Sequence, residues 1–474
     1  MRRRTKIICT VGPATADYPM LERMYAAGMD IVRLNMSHSD HVEAQKIITW
    51  IKTLNRKVKY PVPLLLDTMG PEIRTGELDA PMRLEPGKEV YLTVGPASGE
   101  EDGSPSEWPA DEIHVNYPEL PEAVAVGNSV TLDNGLINLE VLQKSERGLR
   151  CRVIDGGHLG SRRHINLPGV HVNLPAIAGK DREDILFGME HDLDFLALSF
   201  VRTADDIAAA RELLGSKTLK IIAKIEDREG LANVEEITRA ADGVMVARGD
   251  LGIEVDIAVM PNIQRNLVRT CARLGKRCVV ATHLLESMIE NPIPTRAEVT
   301  DVANAIYEGV DAIMLSAETS VGRHPVRCVA QLSRIAATSE QFPGLGFAAD
   351  LVADTDKHHV AKAAAGLAEA IGAAGIVVIT RRGVMVDLVT SCQPPTVPIF
   401  AFSNNSQTRR RLMLNRGVFS HRTAFSTVPE KTIQTALNVL QEREDIPPDE
   451  RVVVISDVLA ERRVDAIQIR TVGG

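Results

Sequence analysis

The chain has 474 residues, 44% of them apolar and 25% charged, with 54 basic and 63 acidic side chains giving a formal charge of −9. That balance belongs to a globular protein of about two to four domains and excludes disordered, collagenous and disulfide-stapled chains. The acidic total argues against a general nucleic-acid-binding surface, although a few local cations suffice for a phosphate ligand.

Eight short β-branched runs, each closed by a polar residue or a glycine turn, recur along the first two thirds of the chain. They cover 5–10, 30–35, 63–67, 194–199, 219–224, 242–247, 277–282 and 311–316. Continuously apolar runs of this length predict buried parallel strands. Helical segments fill the intervals, at 20–27, 204–214 and 260–274 among others. Eight strands alternating with helices predict a (β/α)8 TIM barrel. Strand starts lie roughly 23 to 35 residues apart, except that 63 to 194 spans 131 residues, leaving about 100 for an inserted domain. That insert has a Pro/Gly-rich loop at 95–109 and strand-like runs at 89–94, 136–142 and 148–154, which predict an all-β barrel or sandwich. After Phe342-Pro343-Gly344 a new α/β pattern begins, with strands expected at 375–380, 396–401, 451–456 and 466–470 and helices at 359–371, 406–414 and 429–443. The expected organisation is a catalytic barrel over 1–70 and 169–343, a β-barrel lid over 71–168 and an open α/β sheet over 344–474.

Aromatic residues are only 4% of the chain, so the cores must rest on Val, Ile, Leu, Ala and Met. The six cysteines, at 9, 151, 271, 278, 328 and 392, show no CxxC or zinc spacing, and reduced thiols in a cytoplasm are the simplest account. The basic start is followed by an apolar run too short for a secretion signal, and no stretch approaches the ~18–20 apolar residues of a membrane span.

In a TIM barrel the C-terminal strand ends form the active face. Glu226 and Asp250 would lie there on adjacent strands, enough protein for a Mg²⁺ that takes its other ligands from substrate and water. Salt bridges to Lys224 or Arg248 are the competing reading. Lys224 and Arg33 suit a phosphate-bearing substrate, or else a buried neutralised lysine, or a Schiff-base lysine as in aldolases. Asn35, Ser37, Asp67 and Thr68 offer hard oxygens for a monovalent cation, with turn and capping bonds as the alternative. Thr282 is a candidate hydrogen-bond donor or proton relay, or a hydroxyl satisfied by backbone. No phosphate-binding glycine loop occurs, so a nucleotide would be held by basic side chains and metal.

Taken together these motifs resemble the pyruvate kinase family. Thr5-Lys6-Ile7-Ile8-Cys9-Thr10, Arg33-Leu34-Asn35-Met36-Ser37-His38, Asp67-Thr68-Met69-Gly70-Pro71-Glu72-Ile73-Arg74, Lys224-Ile225-Glu226, Ala247-Arg248-Gly249-Asp250-Leu251-Gly252 and Pro294-Thr295-Arg296-Ala297-Glu298 follow the family's order and spacing. The resemblance implies transfer of a phosphoryl group from phosphoenolpyruvate to ADP, giving pyruvate and ATP, with Mg²⁺ (or Mn²⁺) and K⁺ as cofactors. It implies Lys224, Arg33 and Thr282 as catalytic residues, with Gly249 and Asp250 joining them in binding substrate. It implies Glu226 and Asp250 for Mg²⁺, and Asn35, Ser37, Asp67 and Thr68 for K⁺. Asn35, Met36, Ser37, His38, Arg74 and Arg163 would meet the nucleotide, and Glu72 matches the K⁺-requiring branch. A homotetramer in the cytoplasm is implied, and a phosphorylated effector near Thr380-Arg381-Arg382-Gly383 is the functional reading of a turn that could equally be a solvated basic loop. Met69, Arg163, His164, His283 and Ala317 depart from the family's usual residues without removing an implied ligand.

Overall fold

The computed structural model describes residues 2–94, 112–133, 135–170, 172, 174–216, 219–456 and 466–473. The loop expected at 95–109 lies outside them.

The eight β-branched runs form one closed parallel barrel. Its strands are β1 (Lys6–Thr10), β2 (Ile31–Asn35), β3 (Leu64–Asp67), β4 (Phe195–Leu198), β5 (Lys220–Ile225), β6 (Gly243–Ala247), β7 (Arg277–Ala281) and β8 (Ala312–Leu315). All strands pair in parallel, and β1 closes on β8. The barrel therefore has no free edge to hide. Ile8, Leu65, Phe195, Ile222, Met245 and Met314 point inward and fill the interior. The helices bury a second apolar layer against the outside of the strands. The helix Tyr18–Ala27 shows how locally such an element is set. Asp17 caps its start by accepting from Met20 N, and Gly28 ends it at φ 118°, a backbone state that suits glycine.

Between β3 and β4 the chain builds a separate seven-stranded sheet with its own core around Leu92, Leu132, Leu139 and Leu149. Its edge strands, Ile73–Arg74 and Glu112–His114, meet through a Thr75–Val115 bridge, and Gly76 N donates to the His114 carbonyl at 2.8 Å. These bonds bring the two edges together as in a barrel.

The C-terminal unit is a five-stranded sheet. Its strands are β9 (Gly375–Ile379), β10 (Ile399–Ser403), β11 (Val418–Arg422), β12 (Arg451–Ser456) and β13 (Ala466–Thr471), in the order β11-β10-β9-β12-β13. Only β13 runs antiparallel to its neighbour. The helix Val384–Ser391 and strand β11 were not among the expected elements. The first hides because its β-branched residues mimic a strand. The second hides because Ser420 and His421 interrupt the apolar run, yet both are buried.

The C-terminal unit is bolted to the barrel's N-terminal end. Leu414 inserts into the barrel core, Lys6 Nζ donates to the Val418 carbonyl at 2.6 Å, and Arg410 Nε reaches both oxygens of buried Asp194 at 2.8 and 2.9 Å. Glu444 gathers His421 Nε2 at 2.9 Å, Lys59 Nζ at 3.1 Å, the Tyr60 hydroxyl at 2.7 Å and the Arg2 guanidinium. Burial alone would raise this carboxyl, but the hydrogen bonds from His421 and Tyr60 and the charge of Arg2 hold it at about 2. A carboxyl depressed from 4.5 to about 2 contributes stability that is full above 4.5 and lost as pH falls toward 2. The melting-temperature gap between the parent and Glu444→Gln should thus be constant at neutral pH and close across that acid window. A gap that stays unchanged down to the bottom of the window would contradict the pairing.

Candidate active site

The strand ends opposite the C-terminal unit carry the polar residues singled out above. Parallel register sets who meets whom: Asn35 stands beside Asp67 across β2 and β3, and Lys224 beside Met245 across β5 and β6.

Lys224 lies at the centre. Its Nζ is 2.7 Å from Ser199 Oγ, 3.0 Å from Glu226 Oε1 and 3.1 Å from Asp67 Oδ1. Burial would lower its pKa, but Asp67 and Glu226 overcome that and hold it above the ordinary lysine value. It is therefore a fixed cation, unlike an imine-forming lysine, which must shed its proton to attack a carbonyl.

Asp67 is fully buried and also takes Arg33 Nε at 2.6 Å, while Arg33 Nη1 reaches Thr10 Oγ1 at 3.0 Å. Burial pushes the Asp67 carboxyl up, and Arg33 and Lys224 together bring it below its ordinary value.

Glu226 accepts from Phe200 N at 2.7 Å, and Asp250, in the first turn of the helix Arg248–Glu254, hydrogen-bonds to it. Burial raises both carboxyls. Lys224 opposes the rise at each, and at Glu226 the Asp250 charge adds to it. Two crowded carboxylates fit a hard divalent cation, which would relieve their repulsion. Such a cation would take Glu226 and Asp250 from the protein and its other ligands from substrate and water. The competing salt-bridge reading holds for Lys224 with Glu226, whereas Arg248 pairs instead with Asp301.

Asn35, Ser37, Asp67 and Thr68 come together at the ends of β2 and β3. Ser37 N approaches Asn35 Oδ1 at 3.4 Å, and Thr68 Oγ1 accepts from Ser199 N at 3.1 Å. Turn bonds are thus present, and the hard oxygens that remain suit a monovalent cation. The next segment brings the insert to the mouth. Arg74 Nε donates to Glu72 Oε2 at 2.5 Å, and His38 feels the charges of Arg74 and Arg33, which add to burial in lowering its pKa. Met36 precedes it, with its N–H on the Asp67 carbonyl at 3.0 Å. Arg163 sits on the insert next to the strand that pairs with Arg74, half-exposed, with Nη1 3.3 Å from Asp133. His164 approaches Asp250 at 4.0 Å.

Thr282 has φ 66° and His283 φ 53°, left-handed values that cost of order 1–3 kcal/mol each in a non-glycine residue. Arg248 holds this turn. It donates Nε to the Ala281 carbonyl at 3.1 Å and Nη2 to the Thr282 carbonyl at 2.5 Å, with Nη1 on both Asp301 oxygens at 2.8 and 2.7 Å. Thr282 Oγ1 accepts from Gly249 N at 2.8 Å and donates to the Ala281 carbonyl at 2.6 Å.

Sequence reasoning missed three groups here. Ser199 lies just past the end of β4, a strand end whose polar residue went unread. Arg248 and Asp301 act as a clamp on Thr282 rather than as partners of the carboxylates. The helix Gly179–Glu190 supplies Asp181, whose Oδ1 accepts from Met69 N and Gly70 N at 3.1 Å each, and Lys180, whose Nζ donates to the Met36 carbonyl at 2.7 Å. They brace the loops after β2 and β3, and only a three-dimensional contact reveals them.

Comparison with known proteins agrees along the whole chain. Residues 2–329 match the pyruvate kinase barrel-domain family and residues 358–469 the pyruvate kinase alpha/beta-domain family. A pyruvate kinase of Geobacillus stearothermophilus is 40% identical over 451 residues, covering 92% of this chain and 75% of the relative. Plastidial pyruvate kinase 2 of Arabidopsis thaliana is 36% identical over 462 residues, covering 96% and 78%. The crystal structure of a pyruvate kinase from Cryptosporidium parvum superposes with a TM-score of 0.91 at 32% identity, covering 99% of this chain and 96% of that one.

Proposed function

The chain belongs to the pyruvate kinase family and is a phosphotransferase, and from that footing we propose that it moves the phosphoryl group of phosphoenolpyruvate to ADP at the barrel mouth centred on Lys224. The observation that carries this reading is a part-buried lysine flanked by Asp67 and Glu226 at 3.1 and 3.0 Å, beside Arg33.

Phosphoryl transfer asks for positioning and charge neutralisation more than for covalent chemistry. The bond from phosphorus to the enol oxygen breaks, an ADP β-phosphate oxygen takes the phosphoryl group, and pyruvate leaves as an enolate that must gain a proton at carbon. Lys224 holds the transferring group with a charge that is worth more in a water-poor cleft than in bulk solvent. Arg33 holds a phosphate oxygen. The backbone N–H groups of Gly249 and Asp250, with the Thr282 hydroxyl, hold the substrate carboxylate, which displaces the internal bond between Gly249 N and Thr282 Oγ1. Thr282, or a water beside it, brings the proton to the enolate, and the Arg248 clamp keeps its hydroxyl aimed. Glu226 and Asp250 would hold Mg²⁺ and Asn35, Ser37, Asp67 and Thr68 would hold K⁺, two cations that supply further positive charge around the phosphoryl group when bound. Asn35, Met36, Ser37, His38, Arg74 and Arg163 take the nucleotide. The insert serves as a lid, a reading supported by the approach of His164 on the insert to Asp250 on the barrel at 4.0 Å.

Family membership also supports a homotetramer. A cytoplasmic location is our reading of six free thiols. No helix among the described residues is long and apolar enough to cross a membrane. A phosphorylated effector is proposed at the turn after β9, where Gly383 N donates to Thr380 Oγ1 at 2.9 Å and Arg381 lies over the Phe425 ring.

A coupled assay for pyruvate from phosphoenolpyruvate and ADP tests the reading. Turnover is expected to require Mg²⁺ and to fall when K⁺ is replaced by Na⁺, and Glu72→Lys should weaken the K⁺ requirement. Turnover independent of both cations would remove the metal assignments, and no pyruvate at all would remove the reaction. Phosphorylated metabolites added to the same assay test the effector, and a parent enzyme that ignores them ends that part.

A further inference from the structure

Beside the mouth, where the insert rejoins the barrel, lies a cavity of about 490 Å³. The insert's last strand, His164–Asn166, and the stretch after it form one side. The loop after β5 and the end of the helix Arg248–Glu254 form the other. Lys224, Glu226 and Asp250 are not among the described residues that line it.

The wall is mostly apolar, with Ile73, Ile165, Leu167, Val172, Leu174 and Phe200 lining the space. Two carboxyls interrupt it, Asp227 and Glu254, and neither forms an ion pair among the described residues. Asp227 Oδ1 accepts from Gly230 N at 2.7 Å. Glu254 is only 9% exposed, and its carboxylate has no closer donor than Gly169 N, at 3.4 Å from Oε2. The nearby arginines point at main-chain carbonyls instead. Arg228 Nε donates to that of Glu254 at 2.6 Å, and the Arg202 guanidinium donates to those of Val172 and Leu174. Asn166 borders the same space, 6% exposed, with its Oδ1 unpartnered among the described residues. Burial raises both carboxyls, Glu254 to about 7, where the Asp227 charge adds to the rise. Unpaired acceptors in an apolar wall are unfavourable, and a cation among them relieves this.

We propose that this cavity binds a primary ammonium on an apolar body, its head on Glu254 and the Asn166 oxygen and its carbon body against the apolar wall. The class follows from the acceptors. An ammonium has three donors and no acceptor, so it suits carboxylate and amide oxygens, and its bond to Glu254 is of the strong, charge-assisted kind. A carboxylate or phosphate would meet like charge there. Insert and barrel both line the cavity, so an occupant braces one against the other.

Cyclohexylmethylamine, a cation at neutral pH, is the probe, titrated calorimetrically into the full chain. It should bind the parent and lose at least tenfold in affinity in Glu254→Gln and in Asn166→Ala. Glu226→Gln, which removes a carboxylate of the mouth, should leave that affinity unchanged. Cyclohexylmethanol has the same shape without the charge, and methylamine has the head without the body. Each should bind at least tenfold more weakly than the probe. Circular dichroism and the melting temperature separate lost binding from lost fold. If Glu254→Gln does not fold, Asn166→Ala decides alone. A parent that does not bind the probe at millimolar concentration overturns the site. Equal affinity in the parent and Glu254→Gln does so too, as does binding that disappears in Glu226→Gln instead. Cyclohexylmethanol or methylamine binding as tightly as the probe overturns the ligand class.

Discussion

Lys224→Met should lower kcat by about 10³-fold or more, with a much smaller change in KM for phosphoenolpyruvate. Removing one well-placed cation from a phosphoryl-transfer site costs on this order, because the charge matters most when the phosphoryl group is between donor and acceptor. Methionine keeps the length and apolar bulk of the side chain and deletes only the charge. In that variant Asp67 keeps Arg33 Nε at 2.6 Å and Glu226, which loses its cation, keeps the Phe200 N–H at 2.7 Å, so each buried carboxyl retains a partner and the fold should survive. Circular dichroism and the melting temperature check survival, and steady-state kinetics check the rest. Near-parental kcat in a folded Lys224→Met protein would refute the role given to this lysine.

Asp67→Ala is expected to have the largest effect on stability. This carboxylate is fully buried and stands between two cations, Arg33 at 2.6 Å and Lys224 at 3.1 Å. Deleting it leaves two partly desolvated positive charges facing each other. Breaking a buried pair from one side costs about 3–5 kcal/mol, well beyond what forming the pair contributes. Urea unfolding followed by circular dichroism should show the loss. Asp67→Asn, which keeps an acceptor oxygen, should lose less. A midpoint for Asp67→Ala within about 0.5 kcal/mol of the parent, a change typical of an ordinary surface substitution, would show that the two cations are satisfied elsewhere.

These predictions lean unequally on sequence and structure. The barrel strands were legible because each is a local event: a short, mostly apolar run ended by a polar residue where the strand leaves the core. The observed β1 to β8 fall within a residue or so of the expected runs. The C-terminal sheet was legible only in part. Strand β11 holds His421 inside for the sake of Glu444, a residue 23 positions further along. No window of local sequence contains that reason.

The site divides in the same way. Which side chains stand at strand ends follows from where the apolar runs stop, and so Lys224, Glu226, Asp250, Arg33 and Thr282 could be named in advance. What each one does to its neighbours could not. The charge state of Lys224 depends on Asp67, more than 150 positions away, and the strained turn at Thr282 depends on Arg248 and Asp301. Chain order by itself determined the strands, their alternation with helices and the polar residues at their tips, because period and length act over a few neighbours. Only the closing of the barrel decided the distances, the charge pairs and the braces from the helix Gly179–Glu190, because those depend on the register between strands that are remote in sequence.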